Sequence, residues 1–215
     1  MINRFLYPYM PYIRQIKPSY IRVLHASPDA PPVDIYANNN LIAKNIPYKG
    51  FTPYISVAPG NYVISVFVSG TTQNPVLVKN IQVPNDTIAT VAATGYASDL
   101  DLLPIVEPVE PIPNNKTMVR FVHLSPNTPN VDITLPNGTI LFEDIGYEEI
   151  TEYVPVPPGN YTVEAKVAGT DQTALTVPNI NLKPNRFYSI YAVGFLDDRP
   201  PLQVLIPLDG NSYIK

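Results

Sequence analysis

The chain repeats itself. Residues 21–34 read IRVLHASPDAPPVD, and residues 119–132 read VRFVHLSPNTPNVD. At a spacing of 98 residues Arg22 meets Arg120, His25 meets His123, Ser27 meets Ser125, Pro28 meets Pro126 and Asp34 meets Asp132. Further on, at a spacing of 99, APGNY (58–62) matches PPGNY (157–161), Gly70-Thr71 matches Gly169-Thr170, and Gly95 matches Gly194. A repeat kept through most of each half, with a single-residue slip, calls for two domains of one fold. Each copy then has to close its own core from about a hundred residues or fewer.

Composition decides what those copies are built from. The 26 Pro and 10 Gly work against long helices and favour short strands joined by turns. In the first copy the strand candidates are 20–25, 33–37, 41–46, 52–57, 62–68, 76–82, 87–94 and 101–106, parted by SPDAPP, NNN, YKG, APGN, SGTTQNP and VPND. Spacing of this kind without helical periodicity predicts an all-β chain of two tandem antiparallel β-sandwich domains. The domain reading is an extended N-terminal Tyr/Pro-rich arm at 1–19, a first repeat at 20–104, a Pro-rich linker at 105–116, and a second repeat with a short tail at 117–215. The linker composition reads as a semi-rigid polyproline spacer.

One strand differs between the copies in a useful way. Tyr161, Val163, Ala165 and Val167 alternate with Thr162, Glu164 and Lys166, as expected of a half-buried strand. In the first copy Tyr62, Ile64, Val66 and Val68 keep the inward face, but Val63 and Phe67 replace Thr162 and Lys166 outside. An outward apolar row predicts a contact surface. The arm is equally apolar: Phe5, Leu6, Tyr7, Tyr9, Met10, Tyr12 and Ile13 suit docking, on the chain's own domains or on a neighbouring subunit, better than exposure to water. Phe5, Leu6, Tyr7, Tyr9, Tyr12, Val63 and Phe67 are therefore the candidate assembly interface. Pro8 and Pro11 break the apolar stretch, which does not read as a signal peptide, and no run of about 18 apolar residues is present.

Catalytic and metal chemistry find little to work with. Cys is absent, which excludes thiol nucleophiles and Cys-ligated metals, and two His cannot make a three-His site. A net charge of −4 disfavours nucleic acid and anionic membranes as partners. Arg22, His25, Ser27 and Asp34, with Arg120, His123, Ser125 and Asp132, could suggest a Ser/His/Asp triad. Each Ser precedes a Pro in a turn, and such residues ordinarily hold loop backbone. They are read as a structural motif, through Arg22–Asp34 and Arg120–Asp132 pairing or Asp capping of the Ser-Pro loop. A calcium site through Asp29 and Asp34 is not expected, because Asn127 stands where a second copy would need an acid. Neither cofactor nor metal is expected, and no enzymatic activity.

The string VLHASPDAPPVDIY, followed by a PGNY turn, resembles the bacterial family called domain of unknown function 4397. The resemblance covers both repeats and not the arm. The second copy departs at Asn127, Thr128 and Asn130, where the first has Asp29, Ala30 and Pro32. The resemblance implies an immunoglobulin-like sandwich of surface or secreted proteins, with no established activity. The expectation is a non-catalytic structural surface protein that self-assembles as a homo-oligomer or filament. A fibre, coat or layer subunit would fit, with a bacterial endospore as one setting and other surface or coat proteins as possible partners. The alternative is an adhesive or glycan/ligand-binding surface module. Either places the chain outside the cell or on the spore or cell surface, with no membrane insertion.

Overall fold

The computed structural model describes residues 16–214. The first repeat forms β1 (Ser19–His25), β2 (Val33–Ala37), β3 (Asn40–Ile46), β4 (Ile55–Val57), β5 (Gly60–Val68), β6 (Leu77–Val83), β7 (Ile88–Thr94) and β8 (Asp101–Val106). The second forms β9 (Thr117–His123), β10 (Val131–Thr134), β11 (Ile140–Ile145), β12 (Val154–Val156), β13 (Gly159–Val167), β14 (Thr173–Leu182), β15 (Phe187–Val193) and β16 (Gln203–Leu205). A short 3-10 turn follows at Gly210–Ser212, and no α-helix occurs among the described residues.

Each repeat is two four-stranded sheets. In the first the sheets run β4-β1-β7-β8 and β3-β2-β5-β6; in the second, β12-β9-β15-β16 and β11-β10-β13-β14. The pairings are antiparallel except for β1 with β7 and β9 with β15, which run parallel. The fold is thus the tandem all-β sandwich that the repeat and turn spacing imply. Val23, Val33, Ile35, Val66 and Val91 meet between the first pair of sheets. Phe121, Ile133, Phe142, Val163 and Ile190 meet between the second.

The PGNY turns have a shared job. Tyr62 donates its hydroxyl to the Ala58 carbonyl at 2.8 Å, and Tyr161 does the same to Pro157 at 2.7 Å. Each ties the start of a long strand to the preceding corner. The matched glycines at 95 and 194 sit at φ +93° and +99°. A Cβ there would collide with the carbonyl of Asp99 or Pro201, so only glycine fits either position.

The two sandwiches pack back to back. β7, β9 and β15 are buried along their whole length. One face of each fills its own core, and the other meets the opposite repeat through Leu24, Ala92, Ile105, Val122, Tyr191 and Val193. The order in space is therefore four layers, with the β1 and β9 sheets in the middle.

A charged network crosses this interface, and each repeat builds half of it. Arg22 Nε donates to Thr90 Oγ1 at 2.7 Å, and Arg120 Nε to Ser189 Oγ at 2.7 Å. Thr90 donates to Glu107, and Ser189 to Asp209, each at 2.7 Å. Tyr54 donates to Glu107 and Tyr153 to Asp209. Each arginine then reaches across: Arg22 to the Leu208 carbonyl and Asp209, both at 3.0 Å, and Arg120 to the Val106 carbonyl at 2.6 Å. The reciprocal pattern relates the two repeats by an approximate twofold.

Two expectations need correction here. Arg22 and Arg120 do not pair with Asp34 and Asp132; they face the other repeat, because on β1 and β9 the Arg positions point away from the home core. The stretch expected to act as a spacer from 105 is strand as far as Val106, and Glu107 is buried. Ile105 packs in the interface and Glu107 accepts from Gly210 N at 2.7 Å, which leaves the free-running connection shorter than its proline content suggests.

Candidate functional site

The HxSP…D repeats are absorbed by the fold. His25 and His123 are fully enclosed at 0% exposure. Their Nε2 atoms face the carbonyls of Pro31 at 3.1 Å and Pro129 at 3.3 Å. Facing a carbonyl, each Nε2 carries the proton, and burial lowers both pKa values. Ser125 donates to the Gly194 carbonyl at 2.7 Å. Asp34 accepts from the backbone of Asn45 (2.6 Å) and Gly70 (2.9 Å), which hold its carboxyl below the usual range. Asp132 likewise accepts from the backbone N–H groups of Asp144 and Gly169. These aspartates staple β2 and β10 to the bulge on the next strand and to a hairpin turn.

The Asp29/Asn127 difference settles what that position does. Asp29 accepts from Ala97 N at 2.8 Å, and Asn127 accepts from Leu196 N at 2.8 Å. Charge is dispensable and the acceptor is kept, which is the signature of a loop tie. Among the described residues no group of three or more His, Cys, Asp or Glu could hold a metal ion.

The outer face of the first repeat carries the apolar row. Val63 is exposed, and Phe67 is half-buried with its ring 5.4 Å from that of Tyr36, edge to face. Leu41, Val76 and Val78 extend the patch. On the second repeat the same face holds Glu164 and Lys166, 3.9 Å apart. Phe5, Leu6, Tyr7, Tyr9 and Tyr12 lie outside the described residues.

The feature that sequence reading missed is inside the first sandwich. A cavity of about 330 Å³ lies between its sheets. The corresponding spaces in the second sandwich are only about 20 Å³ each. Strand register shows why. Ile21 pairs with Ala89 where Val119 pairs with Tyr188. Val23 lines the first core where Phe121 fills the second, and Ala43 stands where Phe142 stands. Small side chains replace rings at two positions that line the cavity, Val23 and Ala89, and at Ala43 in the core around it, and the volume remains open. At about 24 cal/mol per Å³, leaving such a void empty and dry would cost about 8 kcal/mol. That is as large as the whole stability of a typical domain.

Among the described residues the cavity lining is almost wholly apolar and holds no charged side chain. Its polar lining is confined to Asn40, Tyr62, Gln82 and Thr87. Three of these (Asn40, Tyr62, Gln82) and Thr87 lie where β3 and β5 begin, where β6 ends and just before β7 begins. The opening is therefore at the end of the sandwich from which β1 starts. A signal was present in the sequence: Ala89 and Ala43 against Tyr188 and Phe142, once the copies are aligned strand by strand.

The family described as Domain of unknown function (DUF4397) matches residues 19–134 and 133–211. The chain belongs to this family. Both DUF4397 repeats are covered, and the arm is not. Among curated proteins nothing matches the chain. Of solved structures, the Bacillus anthracis TIE protein is 14% identical at a TM-score of 0.27, with 81% of this chain aligned to 33% of that one. A streptococcal virulence factor that binds alpha-glucan is 13% identical at a TM-score of 0.28, covering 92% of this chain and 99% of that one. A family CBM26 module of Eubacterium rectale Amy13K, in complex with maltoheptaose, is 11% identical at a TM-score of 0.27, covering 90% and 99%. None of these likenesses bears on the site.

Proposed function

We propose that this DUF4397 chain is a non-catalytic binding module in which the first repeat receives an apolar partner and the second is a filled scaffold. The observation that carries this reading is the contrast between a 330 Å³ cavity in one sandwich and its ring-filled equivalent in the other. Its volume falls within the range of small-ligand sites. A sugar would leave most of its hydroxyls unpaired against such a lining, so the chemistry favours an apolar guest over a glycan. The surface or extracellular setting implied by the family resemblance belongs to the same reading.

The test is methyl-detected NMR on the full chain, titrated with 1-aminoanthracene as an apolar probe. Saturable shifts at Ile21, Ile42 and Val91, with Val163 and Ile190 unmoved, are expected. Shifts confined to Val63 and Val78 on the outer face would refute the reading.

A further inference from the structure

We infer that the guest of this cavity is the N-terminal arm of a second copy of the chain, residues 1–15. This inference rests on the reading that the first repeat is a receptor. Three observations carry it.

The first is what the cavity lacks. The second repeat fills the equivalent space with Phe121, Phe142 and Tyr188. The arm offers the same ring types in Phe5, Tyr7, Tyr9 and Tyr12. The second is where the described chain begins. Ser19 opens β1 at the mouth end, and its hydroxyl donates to the Pro84 carbonyl at 2.6 Å. Pro84 itself lines the cavity. Fifteen residues precede Ile16, a reach of roughly 50 Å when extended. The third is the direction of exit. Lys17 N donates to Asn85 Oδ1 at 2.8 Å and Lys17 Nζ meets Asp86 at 2.8 Å. Pro18 holds Lys17 in extended backbone. The chain is thus pinned on the outside of the β6–β7 turn and leads away from its own mouth.

Arm and mouth share one end of the molecule. Two copies facing each other at that end exchange arms reciprocally, which closes a twofold dimer. Head-to-tail growth would need the mouth at the opposite end, so this geometry gives a closed pair rather than the filament that the sequence suggested. Each cavity is completed by rings from the partner.

The experiment uses the full chain with the photocrosslinker p-benzoylphenylalanine at Tyr7. Copies labelled with nitrogen-15 are mixed with unlabelled copies, and crosslinked peptides are mapped by mass spectrometry. Expected are mixed-isotope crosslinks from position 7 to peptides holding Ile42 or Ala89, together with a dimer mass by light scattering. Ala89→Tyr, which copies Tyr188, should lower those crosslinks at least tenfold. Val23→Phe, which copies Phe121, is the second plug should the first fail to fold. Crosslinks only within chains of one isotope, or a monomer mass, would overturn the exchange. Probe binding separates this failure from that of the receptor reading. With Phe5, Leu6 and Tyr7 all changed to Ser, the chain should bind N-phenylnaphthylamine several-fold more tightly than wild type. Equal binding by both would sink the arm as guest and keep the receptor. Binding by neither, or binding that the plugs leave unchanged, would sink both.

Discussion

His25 and His123 end β1 and β9 fully enclosed, and burial lowers the pKa of each. Asp209, at 0% exposure beside Glu107, moves the other way, its carboxyl pushed up to about 6 chiefly by burial and then by the Glu107 charge. The signs oppose one another. A histidine with a lowered folded pKa gives stability that is present above its unfolded value near 6.5 and is lost as pH falls below it. A carboxyl with a raised folded pKa binds its proton more tightly in the fold, so it adds stability as pH falls through about 6. Two histidines outweigh one carboxyl. Between pH 6 and 5, denaturant titrations should show stability falling as pH falls. In Asp209→Asn the offset disappears, and the fall should steepen. A slope unchanged by the substitution would mean that Asp209 does not titrate in this range.

At the scale of strands, the ring-filled second core makes a direct prediction. Phe142 is buried between β10, β11 and β13 in a sandwich with almost no free volume. Phe142→Ala should cost about 3–5 kcal/mol by chemical denaturation. It would also create, in the second repeat, the kind of space that the first already has. How much of this was legible is itself a question of scale. Strands β1 to β8 lie close to where turn chemistry put them, because Pro, Gly and Asn punctuate the chain and positive φ falls at Asn38, Asn39 and Asn45. The alternation in β13 identified its inward face. The run 87–94 reads as a strand, but the burial of Ile88–Thr94 on both faces means that a second layer covers it. Periodicity within one strand cannot name that cover. The partners of Arg22 lie in β7 and near residue 209, too far away in sequence for a local motif to reveal them. Asp34 lay closer to hand, and so attracted the pairing that the fold does not make. The cavity escaped because volume is a property of facing strands, and no single strand shows a deficit.

For the molecule as a whole, the interface between the repeats decides whether it unfolds as one body or two. Arg22 is 5% exposed, lies 4.9 Å from the Phe51 ring and 4.7 Å from that of Tyr54, and pairs with Asp209 at 3.0 Å and Glu107 at 3.7 Å. Removing one member of a buried ionic set leaves the remainder desolvated without compensation, which costs about 3–5 kcal/mol. Arg22→Ala strands two carboxylates, one contributed by each repeat's half of the network. The penalty therefore falls on the docked arrangement and not on either sandwich core, since Val23 and Phe121 face the other way. Calorimetry on the wild-type chain should show one cooperative transition. In Arg22→Ala it should resolve into two, the first repeat melting earlier because its core is the hollow one. A single transition shifted to lower temperature would instead mean that the Leu24–Tyr191 contacts couple the repeats without the ionic network. Arg120→Ala distinguishes the two accounts: its Nη1 bond to the Val106 carbonyl ties the end of β8 to the second repeat, so splitting of the transition in both variants would assign the coupling to the crossed arginines.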